Sequence, residues 1–95
     1  MGCQILAFST EDCPACDIIK PIVKKAANKM GIKVRDLDPT NEIELAQKFD
    51  VSVVPTFVLL DKNGDFVESV DGFIDENTID SFLSLANPTE KRVSV

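Results

Sequence analysis

The sequence predicts an α/β domain in which a four-stranded mixed sheet carries helices on both faces. Three stretches argue for it. "CQILAF", Cys3 to Phe8, is a short and nearly continuous apolar run, as in a strand covered on both sides. From Pro14 the apolar period becomes helical, and "VVPTFVLLDKNGDFVESV" reads as a hairpin folded about Asp61 to Gly64.

Taken in order, the first strand gives way to a helix with Ile19, Ile22, Val23, Ala26, Ala27 and Met30 on its buried side, closed by Gly31. Ile32 to Asp38 is a second strand, whose Lys33 and Arg35 suit a sheet edge. Asn41 followed by Glu44 resembles a capping box and opens a short helix through Phe49 that buries Ile43, Ala46 and Phe49. Thr56 to Leu60 and Asp65 to Val70 form the hairpin strands. Asp75 caps the last helix between the staple residues Ile74 and Ile79; Ile79, Phe82, Leu83 and Ala86 give its inner face, and Pro88 stops it. The order β-α-β-α-β-β-α makes the first two strands parallel and adds an antiparallel pair.

With 95 residues the chain is one domain, its core spanning about 3–87 and a polar tail 88–95. A net charge of −6, from 16 acidic and 10 basic residues, argues against nucleic acid as the main partner. No apolar run approaches the length of about 20 residues that spans a membrane. "MGCQILAFSTED" lacks the basic and apolar segments of a secretory signal, so a cytoplasmic, reducing setting and a monomer are expected. Three cysteines are an odd number for a disulfide framework.

"STEDCPACDIIKP" holds the chemistry. If Cys13 is the N-cap, Pro14 sits at the first helical position, where a missing N–H costs nothing, and Cys16 at the third. The Cys16 amide can then donate to the Cys13 sulfur, and the helix dipole favours a thiolate there. Cys13 becomes the nucleophile and Cys16 the resolving thiol. Ala15 adds neither bulk nor charge between them. Metal binding is the poorer reading: the chain has no histidine, and only Cys3 remains as a third sulfur. Cys3 itself reads as a packing residue of the first strand. The lysines at 20, 24, 25 and 29 form a stripe that could guide an acidic partner or serve as a solvated face.

The chain resembles the thioredoxin superfamily over about residues 3 to 87, as a short, glutaredoxin-sized member. "CPAC" opening a helix with Pro21 five residues on, "VVPT" with Pro55 at the head of a strand, and "VDGF" with Gly72 before the last helix carry the likeness. The resemblance implies a thioredoxin-like fold lacking the usual N-terminal strand and helix, and a cis Pro55. It implies that Val54, Pro55, Gly72, Pro14 and Ala15 meet substrate beside the redox pair Cys13 and Cys16. Members commonly hold a buried carboxylate six residues before the first cysteine, where this chain has Ala7, and tryptophans where it has Ser9 and Asp12. Glu11 and Asp36 are the remaining candidates for proton transfer.

The function expected from that likeness is protein-disulfide reduction by dithiol exchange, with no bound cofactor and electrons from NADPH through thioredoxin reductase. Its partners would be disulfide-containing proteins. A glutathione-dependent reductase is the competing enzyme, disfavoured because Glu11 and Asp12 beside Cys13 oppose an anionic tripeptide. A redox-inert docking module is the competing non-enzyme.

Overall fold

The computed structural model describes residues 2–86. Its elements are β1 (Gln4–Phe8), α1 (Pro14–Lys29), β2 (Lys33–Leu37), α2 (Ile43–Lys48), β3 (Thr56–Leu60), β4 (Phe66–Asp71) and α3 (Glu76–Ser84). The sheet order is β2-β1-β3-β4, with β1 parallel to β2 and the other neighbours antiparallel. The expected four-stranded mixed sheet is therefore present, with β2 at an edge. The expected stop at Pro88 and the tail lie outside the described residues.

Alternation along β1 builds both layers. Ile5 and Ala7 face α1 and α3, in a core with Ile19, Val23, Phe57, Leu59, Ile79 and Phe82. Leu6 and Phe8 face the other way, packing with Leu37, Ala46, Val58 and Leu60 beneath α2. Every residue of β3 is buried, as expected of a strand covered on both sides.

Helix α1 ends as its sequence dictates. Gly31 adopts φ +73°, so that the Ile32 amide reaches the Ala27 carbonyl at 2.9 Å and the Gly31 amide reaches Asn28 at 3.1 Å. This is the Schellman arrangement, in which glycine takes the left-handed position without a Cβ penalty. The buried stripe is narrower than the apolar pattern suggests. Cys16, Ile19, Val23 and Ala27 face the core, whereas Ile22 and Met30 lie on its shoulder, lining a groove shared with α3.

α2 departs most from expectation. Asp38 accepts from the amide and hydroxyl of Thr40, and its carbonyl takes the amides of Asn41 and Glu42. The chain thus turns before Asn41 can cap anything; Glu42 occupies the N-cap without a side-chain bond. The helix is rotated so that Ala46 meets the sheet, with Leu45 and Phe49 partly buried beside it, and Ile43 faces solvent. In α3, Asp75 caps as expected, accepting from the Thr78 amide at 2.8 Å. Ala86 sits just beyond that helix and is only half-buried.

Candidate functional site at the tip of α1

Three segments meet at one end of the sheet. Phe8 is in register with Thr56 across β1 and β3, so the chain leaving β1 toward Cys13 emerges beside the chain entering β3 from Pro55. Thr56 in turn pairs with Asp71, and the Gly72 amide donates to the Pro55 carbonyl at 2.9 Å. The Val54–Pro55 bond is cis. The likeness-derived residues Pro55 and Gly72 are thus in direct contact, beside the end of β1 that feeds the cysteine loop.

Cys13 is the N-cap of α1, in extended conformation, with Pro14 at the head of the helix. The Cys16 amide donates to the Cys13 sulfur at 3.0 Å. Cys13 and Cys16 form a disulfide with Cα atoms 5.2 Å apart, within the range such a bond requires. Both cysteines are buried, Cys16 with 1% and Cys13 with 7% of its residue surface exposed. Pro14 is exposed and Ala15 half-buried, so the turn between the cysteines borders solvent.

Apolar side chains are exposed next to Gly72 and just before the cis bond. Phe73, directly after Gly72, is 72% exposed, and Val53, before the cis bond, is half exposed. Neither stands out in the sequence, where apolar residues beside a strand read as core.

The charges below the tip are ordered. Asp36 is the cross-strand partner of Ala7, on the sheet face covered by α1. It accepts from Lys24 Nζ at 2.9 Å and lies 3.6 Å from Lys20 Nζ, while Lys20 also donates to Ser9 Oγ at 3.1 Å. Desolvation pushes the Asp36 carboxyl up, but the Lys24 hydrogen bond and the lysine charges outweigh it and hold it below the ordinary carboxylate range. Asp36 is therefore a member of an ion-pair cluster. Cys3 is a half-buried free thiol packed against the main core, 3.8 Å from the Ala86 carbonyl. Among the described residues no group of three or more His, Cys, Asp or Glu side chains could hold a metal ion, and no helix is long and apolar enough to cross a membrane.

A vicinal cysteine pair at a helix N-terminus, next to a cis-proline strand start on a β-α-β-α-β-β-α sheet, defines the class of thioredoxin-fold dithiol proteins. The thioredoxin family model matches residues 2–85, and the chain belongs to that family. It is 36% identical over 81 residues to the mitochondrial thioredoxin of Bos taurus, covering 83% of this chain and 48% of that protein. Thioredoxin-1 of Caenorhabditis elegans is 34% identical over 73 residues, covering 76% and 63% respectively. The chain thus spans about half to two thirds of the length of these relatives. Among solved structures, a mutant thioredoxin from Halobacterium salinarum superposes with a TM-score of 0.77 at 28% identity, covering 87% of this chain and 73% of that one. The thioredoxin of Fasciola hepatica gives 0.74 at 25% identity, covering 86% and 78%.

Proposed function

We propose that this chain is a protein-disulfide reductase acting by dithiol exchange. The observation that carries the reading is the 3.0 Å bond from the Cys16 amide to the Cys13 sulfur at the N-terminus of α1. Amide and helix dipole together stabilise negative charge on Cys13, which makes it the attacking thiolate.

The exchange balances in two steps. Cys13 thiolate attacks one sulfur of the substrate disulfide; the S–S bond breaks, and the departing thiolate takes up a proton. Cys16 then loses its proton and attacks the Cys13 sulfur of the mixed disulfide, releasing the second substrate thiol and closing the intramolecular bond. Two electrons pass to the substrate. Val54, Pro55, Gly72, Pro14 and Ala15 would receive the substrate backbone, with Val53 and Phe73 as apolar contacts. Electrons would return from NADPH through a thioredoxin reductase, with the chain acting as a monomer. The exposed Glu11 and Asp12 beside Cys13 disfavour glutathione as the returning donor. A compartment that keeps thiols reduced, with the cytoplasm as the first expectation, fits this chemistry, and cell fractionation tests it.

Insulin reduction with Cys13→Ser and Cys16→Ser variants tests the assignment. Both variants should lose turnover, and Cys16→Ser should accumulate a mixed disulfide through Cys13. Full activity in Cys13→Ser would refute the mechanism. Intact biological function with alanine at both cysteines would establish the redox-inert docking module instead.

A further inference from the structure

Among the described residues, β2 is an edge strand with only one side of its backbone paired. The Ser9 amide donates to the Leu37 carbonyl at 2.9 Å, and Leu37 is in register with Phe8. Successive residues of a strand present their N–H and C=O groups to opposite sides, so Lys33, Arg35 and Leu37 serve β1 while Val34 and Asp36 turn theirs outward. No described strand pairs with that side.

Along the same edge, an open groove of about 700 Å³ runs between β2 and the C-terminal half of α1. Lys24, Lys25, Lys33 and Arg35 line it, and no carboxylate does. Lys24 is engaged by Asp36; Lys25, Lys33 and Arg35 have no ion-pair partner among the described residues. On a chain of net charge −6 this is a local inversion of sign, set beside unpaired strand groups.

The two features select one kind of occupant. A second copy of β2 added antiparallel about Val34 would set Lys33 of each copy against Arg35 of the other, and like charges across a strand pair repel. A neutral strand would satisfy the backbone and leave the cations unused. An acidic strand satisfies both. Lys33 and Arg35 lie on the sheet face opposite Val34, while Lys24 and Lys25 belong to α1 on the Val34 side. Side chains of an added strand alternate between these faces, so a segment with carboxylates at consecutive positions meets cations on each.

We propose that the β2 edge is a docking site for an extended acidic segment of a partner protein. The segment adds as a fifth strand along Val34 and Asp36, and its carboxylates pair with Lys25, Lys33 and Arg35. The site is separate from the cysteine pair and does not depend on the redox reading.

The probe is a capped heptapeptide of glutamate and valine bearing acids at consecutive positions, titrated into the full chain and followed by amide NMR and calorimetry. Binding should slow hydrogen exchange at the Val34 and Asp36 amides and weaken with added salt. The same peptide with lysine for glutamate, or with alternate backbone amides methylated, should not bind. A Lys33→Glu/Arg35→Glu variant should bind about tenfold more weakly or worse while reducing insulin at the unaltered rate. Lys25→Glu, outside the strand, gives the same test if the β2 variant folds poorly. Absence of binding at millimolar peptide, binding indifferent to these reversals, binding without protection of Val34 and Asp36, or self-association through this edge in sedimentation would each overturn the proposal.

Discussion

The Cys16 backbone amide donates to the Cys13 sulfur from 3.0 Å, and Cys16 as a residue is 1% exposed against 7% for Cys13. Cys13 therefore receives the helix N-terminus and is the less buried residue of the pair. In the reduced protein, iodoacetamide should modify Cys13 before Cys16, with a rate ratio of about tenfold or more at neutral pH. Peptide mapping by mass spectrometry reads this directly. Equal labelling, or earlier labelling of Cys16, would reverse the assigned roles.

Gly72 holds φ +77° while its amide binds the Pro55 carbonyl, and a Cβ added there would meet nothing within 4 Å. The cost of Gly72→Ala is thus backbone strain and not collision, about 1 kcal/mol. Urea denaturation should show that loss. Insulin reduction should suffer in KM more than in kcat, because the loop beside Pro55 shifts while the cysteines do not.

Phe57 is fully buried in the central strand β3, against the α1 and α3 side of the sheet. Phe57→Ala should cost about 3–5 kcal/mol through lost burial and the cavity left behind. A small domain has about 5–15 kcal/mol in all. Denaturant melts of the oxidised protein should find it partly unfolded or with its midpoint sharply reduced.

Much of this architecture was legible in the residues, because each strong signal has a local cause. The CPAC turn, the Gly31 stop and the Asp75 cap are settled within a few residues of the chain, and all three are present. α2 departs from its sequence pattern because Asp38 is as good a turn former as Asn41 is a cap, and the nearer backbone groups of Thr40, Asn41 and Glu42 go to Asp38. Ile22 lines the groove that α1 shares with α3, and Phe73 follows the Gly72 that bonds Pro55. Both are relations between distant segments, which periodicity along one segment does not encode.

Asp36, Asp38 and Asp75 all titrate below the ordinary value of 3.8. For Asp36 the lysine contacts outweigh desolvation; for Asp38 the Thr40 hydroxyl and amide are responsible; for Asp75 it is the Thr78 amide. A carboxyl whose folded pKa is depressed contributes stability that is present above its unfolded pKa and is lost as pH falls through the folded one. The urea midpoint of the oxidised protein should therefore hold from pH 7 down to about 4 and fall below it. Asp36→Asn should lower the midpoint at pH 7, and the difference from the parent should shrink as pH falls through the depressed carboxylate range. Because Asp36 is about half exposed, added salt should shrink the difference at pH 7.

The disulfide joins residues only three apart in sequence, inside a single helical turn. A link that short restrains the unfolded chain far less than one closing a long loop, and it ties no second element of the fold to the first. Opening and closing it can leave the whole scaffold indifferent to its own oxidation state. Any protein that tells the oxidised chain from the reduced one must do so from a few atoms at one helix tip.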